Sequence, residues 1–199
     1  MAYRGKRILD LVIALPASLF TVFLTPFVGL AVALEDGFPI FVRLERISDG
    51  KVIRVWKFRS MIKGAQTMKK ELGSLNERKD GPLFKIKNDP RLTKTGKILR
   101  KFRLDEFPQA WNILSGDISL VGPRPHEPGE IGQYPPEFKR LSLAQSGLTG
   151  LSQVSGASKL PFKEEVALDV YYVDHESFLM DMKILWKTIA IFFSDPTGV

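Results

Sequence analysis

The chain has 199 residues, enough for one ordinary domain with a buried core and a short appendage. Lys and Arg number 29 against 22 Asp and Glu, and the formal charge of +7 suits anionic lipid, nucleic acid or a phosphate-rich ligand without choosing among them. With no cysteine and only His126 and His175, a disulfide framework, a thiolate metal site and a Cys nucleophile are excluded, and a multi-histidine metal centre is disfavoured.

Arg4, Lys6 and Arg7 precede a stretch, Leu11 to Leu34, that contains no charged residue. As a helix it would measure roughly 36 Å, more than the ~30 Å hydrocarbon core of a bilayer. Three readings compete. A spanning helix with basic residues on the cytoplasmic side would carry the rest of the chain outside. A cleaved signal peptide is suggested by Ala31-Val32-Ala33, but the apolar stretch is too long for a signal core. A re-entrant helical hairpin would enter and leave on one face. Pro16 and Pro26 each remove a helix hydrogen bond, and Thr25 is placed to satisfy a freed backbone group. The residues alone leave span and re-entry open.

Residues 38–58 read as a β-hairpin. Ile40 to Ile47 and Lys51 to Phe58 alternate in part, and Asp49-Gly50 is a turn signal. Met61, Ala65, Met68 and Leu72 recur at helical spacing, which predicts an exposed amphipathic helix over 61–80, ended by Gly81-Pro82. Residues 85–103 hold eight basic side chains and one acid, Asp89. A helix is expected over Gly96–Phe102 and another over Gln109–Leu114, closed by Ser115-Gly116-Asp117. A short strand Ile118–Val121 follows, then a rigid Gly122-Pro123-Arg124-Pro125 turn. Residues 128–136 and 145–158 read as loops. The last long element, Phe162 to Phe193, breaks near Asp174–Ser177. Its second half sets Leu179, Met182, Leu185, Trp186, Ile189 and Phe193 on one stripe, shared between the core and a membrane interface.

The chemistry concentrates in Arg103-Leu104-Asp105-Glu106-Phe107-Pro108-Gln109. In mid-helix, adjacent carboxylates point about 100° apart; at a helix start both can turn to one ligand. Asp105 could also simply cap the following helix, and on this fragment alone capping is the stronger reading. The surroundings shift the balance. Lys97, Arg100, Lys101 and Arg103 precede the pair, and Arg124 follows between two prolines that restrict its backbone. Arginine binds phosphate oxygens through paired hydrogen bonds, and Mg²⁺ takes one or two carboxylates plus phosphate oxygens. A carboxylate can itself be the nucleophile. The plainer reading of Arg124 is stacking on a Trp or pairing with Asp117.

Taken in order, several segments resemble the bacterial sugar transferase family, the monotopic polyprenyl-phosphate phosphoglycosyl transferases. They are the basic-then-apolar N-terminus with Thr25-Pro26; Trp56-Lys57-Phe58-Arg59-Ser60-Met61; Lys87-Asn88-Asp89-Pro90-Arg91-Leu92-Thr93; Leu104 to Gln109 with Asn112; Gly116 to Pro125; Gly147-Leu148-Thr149-Gly150; and Asp169-Val170-Tyr171-Tyr172. Each is weak alone, and their order and spacing together are specific. The resemblance implies an α+β fold: a mostly helical, membrane-associated domain with a β-hairpin and an N-terminal re-entrant membrane helix. Residues 1–34 would form the helix-break-helix, broken at Thr25-Pro26, and 35–199 a catalytic domain on the cytoplasmic face of the bacterial inner membrane. It also implies Mg²⁺, a UDP-sugar donor and a polyprenyl phosphate acceptor. Asp105 would attack the β-phosphate, and Glu106 would assist as a metal ligand or a base. Arg59, Arg124 and Arg100 would hold phosphate oxygens, with Gly147, Thr149 and Gly150 lining the site and the Asp169–Tyr172 segment structural. A homodimer is compatible with the resemblance, and no residue demands it.

Three positions depart from the family pattern. Gln145-Ser146 stands where a basic-Pro pair is common, Gly156-Ala157 where Gly-Arg is common, and Phe107 where Leu is common. The first two put the sugar or nucleotide contact in question. Larger relatives carry additional N-terminal membrane helices, so the chain reads as a minimal form or as the catalytic core of something longer. Two rival functions are a non-catalytic scaffold on anionic lipid and a nucleic-acid binder. The first leaves the Asp105-Glu106 pair unexplained, and the second lacks any reader motif, so nucleic acid is not an expected partner.

Overall fold

The computed structural model describes residues 3–194. Its first element, α1, is an α-helix over Lys6–Asp36. It is long and apolar enough by length and composition to cross a membrane. The helix is continuous through Pro16 and Pro26, so the expected break at Thr25-Pro26 is not a loss of helix. The carbonyl freed by Pro26 is that of Val22, four residues earlier. The Thr25 hydroxyl does not satisfy it, because it donates to Thr21 O at 2.8 Å. Thr21 bonds back to Ala17 O at 2.8 Å and also reaches Phe107 O at 3.1 Å. Such back-bonding beside a proline bends a helix without interrupting it.

Strands β1 (Phe41–Ser48) and β2 (Lys51–Phe58) form the expected antiparallel hairpin, in register from Phe41↔Phe58 to Ser48↔Lys51. Asp49 and Gly50 both have positive φ, 50° and 71°, as a two-residue turn of this hand requires. The free edge of β2 is closed by Asn112, whose Oδ1 accepts from Trp56 N and whose Nδ2 donates to Arg54 O, both at 2.9 Å.

The amphipathic helix expected over 61–80 does not form. Two 3₁₀ turns, Thr67–Lys69 and Glu71–Leu75, stand there instead. Tertiary bonds compete with helical ones: Arg91 Nη1 takes Ala65 O, and the Asn76 side chain ties together Arg78, Leu83 and Lys85. Helix α2 (Lys94–Lys101) is capped by Thr93, whose hydroxyl accepts from Gly96 N. Helix α3 (Gln109–Ser115) ends at Gly116, φ 86°, as read from the sequence. Its N-cap position is Pro108 with no side-chain cap, so Asp105 does not serve as the cap.

Strand β3 (Ser119–Val121) leads to the short helix α4 (Pro128–Ile131). The segment read as loop from 145 contains strand β4 (Gly147–Thr149), parallel to β3, and helix α5 (Leu151–Val154). Helices α6 (Phe162–His175) and α7 (Phe178–Ser194) close the chain. On α7 the buried positions are Asp181 and Ile184, with Leu185 packed on the core, while Leu179, Trp186 and Ile189 are exposed. The stripe is therefore divided between core and surface; the side chain of Phe193, also placed on it, lies outside those described.

Both ends of α1 are fastened to the same domain. At the N-terminal end Lys6 Nζ donates to Tyr172 OH and Asp181, each at 2.8 Å, Arg7 reaches the carbonyls of Ile113 and Leu114, and the buried Asp10 accepts from Ser119 Oγ and Leu120 N. At the C-terminal end Glu35 accepts from Lys94 N and Thr95 N, and Asp36 engages Arg59 and Lys63 N. Ala14, Val28 and Val32 face the core. The opposite face presents Val12, Leu15, Leu19, Val22, Phe23, Phe27, Leu30 and Leu34, each more than half exposed. A continuous apolar face of that extent marks an interaction with lipid or protein.

Candidate active site

The Asp105-Glu106 pair sits in a single 3₁₀ turn, Leu104–Glu106, between α2 and α3. Arg103 enters it with φ 51°, a left-handed conformation unusual for a side chain with a Cβ, and its carbonyl accepts from Glu106 N. This reversal lets both carboxylates turn toward β2. Asp105 is buried at 5% exposure, whereas the Glu106 side chain is about a third exposed.

Lys57 on β2 reaches the pair, its Nζ 2.5 Å from Glu106 Oε1. Burial raises the Asp105 pKa, as does the neighbouring Glu106 charge, against the opposing pull of Lys57 and Arg100. Burial would raise Glu106 too, but Lys57, by charge and hydrogen bond, with Arg124 and Arg103 brings it below the usual carboxylate value. Two adjacent carboxyls are thereby driven apart: Glu106 holds its charge and Asp105 gives it up more readily to a proton. Four cations, Lys57, Arg100, Arg103 and Arg124, act on them, leaving an excess of positive charge for an anionic ligand.

Arg100 is oriented from α2 by a bond from Nε to Ser60 Oγ at 3.2 Å. The Arg124 side chain is exposed. Its alternative partner Asp117 is engaged elsewhere, accepting from Asn112 Nδ2 and Ser115 Oγ. Arg59 is not brought to the pair. Its Nη2 donates to Asp36 O and Gly37 O at the end of α1, and its Nε and Nη1 are buried without a protein partner.

Gly147, Thr149 and Gly150 lie behind the Arg124 turn. A Cβ at Gly147 would fall 2.0 Å from Gly122 N, and one at Gly150 2.2 Å from Gly122 O. These glycines admit a backbone approach that fixes the 122–125 turn. The Thr149 hydroxyl shares a 2.7 Å hydrogen bond with Thr188 on α7.

Among the described residues no group of three or more His, Cys, Asp or Glu is placed to hold a metal ion. Two adjacent carboxylates fit a cation that completes its shell with water and phosphate oxygens, which is the habit of Mg²⁺.

The sequence pattern described as bacterial sugar transferase matches residues 1–195. The chain belongs to that family. Among curated members, galactosyl transferase CpsE of Streptococcus agalactiae is 38% identical over 193 residues, which cover 94% of this chain and 42% of CpsE. Undecaprenyl-phosphate galactose phosphotransferase of Salmonella typhimurium is 39% identical over 164 residues, 79% of this chain and 34% of that protein. Exopolysaccharide production protein ExoY of Sinorhizobium fredii is 36% identical over 192 residues, 93% of this chain and 84% of ExoY. The chain thus spans well under half the length of the first two.

In this bacterial sugar transferase the residue that sequence reasoning passed over is Lys57. It lay inside a quoted motif without a role. The signal was available: Lys57 lies two residues from the buried Val55, on the same face of the strand, and between two aromatics, so its ammonium must find an anion or solvent.

Proposed function

We propose that this protein transfers a sugar-1-phosphate from a UDP-sugar to a polyprenyl phosphate and releases UMP. The observation that carries the reading is the buried Asp105 beside Glu106, which is ion-paired to Lys57, with the charges of Arg100, Arg103 and Arg124 acting on the pair. Names of relatives such as undecaprenyl-phosphate galactose phosphotransferase and UDP-glucose:undecaprenyl-phosphate glucose-1-phosphate transferase support it.

An Asp105 carboxylate oxygen forms a bond to the β-phosphorus, and the bond from that phosphorus to the bridging oxygen breaks, so that UMP leaves with the oxygen and its electron pair. The polyprenyl phosphate oxygen then attacks the same phosphorus and expels Asp105, restoring the free carboxylate. Arg100 and Arg124 hold phosphate oxygens, which offsets the repulsion between an anionic nucleophile and an anionic substrate. Glu106, kept ionised by Lys57, either shares a cation with Asp105 or takes a proton from the lipid phosphate. Mg²⁺, held by Asp105 and Glu106 when bound, would supply further charge neutralisation at the phosphates. Because Asp105 attacks as the anion, its raised pKa sets an acid limit on the rate.

The acceptor is a lipid, and α1 supplies the membrane contact. The anchoring of Lys6 and Arg7 at one end and Glu35 and Asp36 at the other to one domain supports re-entry over a span, with the site at the cytoplasmic face of the inner membrane, where nucleotide sugars are.

The test is UMP release from a panel of UDP-sugars by the protein in lipid discs with undecaprenyl phosphate and Mg²⁺, beside Asp105→Asn. UMP with one sugar, abolished by EDTA and in Asp105→Asn, is the expected result. UMP undiminished in Asp105→Asn would sink the covalent mechanism.

A further inference from the structure

Pro123-Arg124-Pro125 has one backbone N–H, that of Arg124, since proline has none. That N–H donates to Asp169 Oδ2 at 3.3 Å. The other tethers of the turn run backbone to backbone: Gly122 N to Thr149 O at 2.9 Å, Gly147 N to Pro123 O at 2.8 Å, and Ile47 N to His126 O at 3.0 Å. Among the described residues, Asp169 is the side chain that ties Arg124 itself.

Asp169 projects from α6 and has no exposure at all. Around it stand His126 from the turn, Ser152 from α5 and Glu165 one helical turn back, and its charge is felt by Tyr134. Its second oxygen, Oδ1, is buried without a hydrogen-bond partner in the protein, as are His126 Nε2 and Tyr134 OH. A carboxyl so deep, with no cation bonded to it, is costly where an apolar side chain would pack more cheaply. What it supplies that an apolar residue cannot is the acceptor for the Arg124 N–H.

We propose that Asp169 is a positioning residue for Arg124: through that N–H it fixes the proline-flanked turn so that the guanidinium faces Glu106 and the phosphate of the donor. The inference rests on the reading of Arg124 as a phosphate ligand. The two prolines limit backbone freedom around Arg124 but do not set which way the turn leans against α6. The single N–H does, and a small rotation there displaces the far end of a long side chain by much more. The consequence falls on transition-state binding, so kcat should suffer more than KM.

The experiment is a double-mutant cycle on UMP release with the full chain in lipid discs, using Asp169→Ala, Arg124→Ala, the pair together, and Asp169→Asn as the conservative variant, each with its melting temperature. Asp169→Ala is expected to lower kcat about tenfold with a smaller change in KM. Asp169→Asn, which keeps an acceptor, should recover to within about threefold. The double variant should be no slower than Arg124→Ala alone, because a residue that acts through Arg124 has nothing left to do without it. Multiplicative losses in the double variant, or an Asp169→Ala enzyme as fast as the wild type, overturn the proposal. If Asp169→Ala does not fold, Asp169→Leu, which keeps the bulk and removes the acceptor, takes its place in the cycle. Arg124→Ala at wild-type speed would instead remove the phosphate-binding reading on which the proposal stands, and the proposal with it.

Discussion

Lys57 Nζ lies 2.5 Å from Glu106 Oε1, joining the last turn before α3 to the open end of the hairpin. The contact does two things at once. It holds Glu106 ionised against burial, and it places a positive charge beside Asp105 as well.

Lys57→Met is therefore expected to slow UMP release by about 10- to 100-fold, the range for losing a charge-assisted bond in a partly buried site. Without Lys57 both carboxyls hold protons to higher pH. The acid limb of the rate profile should move upward, and Lys57→Arg should restore part of both effects. A pH–rate profile unchanged in Lys57→Met would show that the lysine does not tune the pair.

The glycines behind Arg124 give a second test. A methyl at Gly147 or Gly150 must displace the Gly122 backbone, since the added carbon would lie 2.0 or 2.2 Å from it. Gly147→Ala and Gly150→Ala should each lose at least about 2 kcal/mol in denaturant unfolding, together with activity. Gly129→Ala, where nothing lies within 4 Å of the added carbon, is the control expected to leave both unchanged.

How much of this was legible beforehand follows from how local each feature is. The hairpin declared itself because Asp49-Gly50 can take positive φ where few other pairs can, and α3 because Gly116 ends it. The Asp105-Glu106 turn was found through its composition, but its shape depends on Arg103 in a left-handed conformation, which no pattern announces. Strand β3 was expected, over Ile118–Val121, but its partner β4 escaped notice because it is three residues long and the pairs Ser119↔Gly147 and Val121↔Thr149 meet through close backbone approach rather than apolar alternation. The helix expected over 61–80 failed because Arg91 draws the Ala65 carbonyl into a tertiary bond and the Asn76 side chain takes the Arg78 backbone groups locally. Arg59 was assigned to phosphate by motif, yet its Nη2 is turned to the end of α1, a contact between residues far apart in sequence.

Membrane disposition can be read with introduced cysteines, since the sequence contains none. Arg4 and Val52 are both exposed and flank α1. If α1 re-enters, Arg4→Cys and Val52→Cys should react with a membrane-impermeant maleimide from the same face of the vesicle, and Phe23→Cys should be protected from both. Labelling of the first two from opposite faces would establish a span and reject the re-entrant arrangement.

Two acids, the buried Asp169 and the half-buried Glu130, should shift stability with pH in opposite directions. Burial pushes Asp169 up to about 6, against the nearby Ser152 hydroxyl and the charge of His126. Its folded-state pKa exceeds the unfolded one, so folding is favoured by the protonated form, and stability falls as pH rises from about 4 through 6. The loss, on the order of 3 kcal/mol, is complete above that window. Glu130 behaves the other way. Burial opposes its ionisation, but the neighbouring His126 imidazole and a hydrogen bond from the Glu127 N–H bring it down to about 2. Its contribution is present above the unfolded value near 4.5 and is lost as pH falls toward 2. Asp169→Asn should accordingly be more stable than the wild type at pH 8 and lose that advantage by pH 4, while keeping the acceptor for the Arg124 N–H. Glu130→Gln should be less stable at pH 7 and converge on the wild type as the medium is acidified. Thermal unfolding of the three proteins across pH 3 to 8 separates the cases. An Asp169→Asn protein less stable than the wild type at pH 8 would mean that the carboxylate stabilises the fold it is buried in. Its cost could then no longer be set against a gain at Arg124.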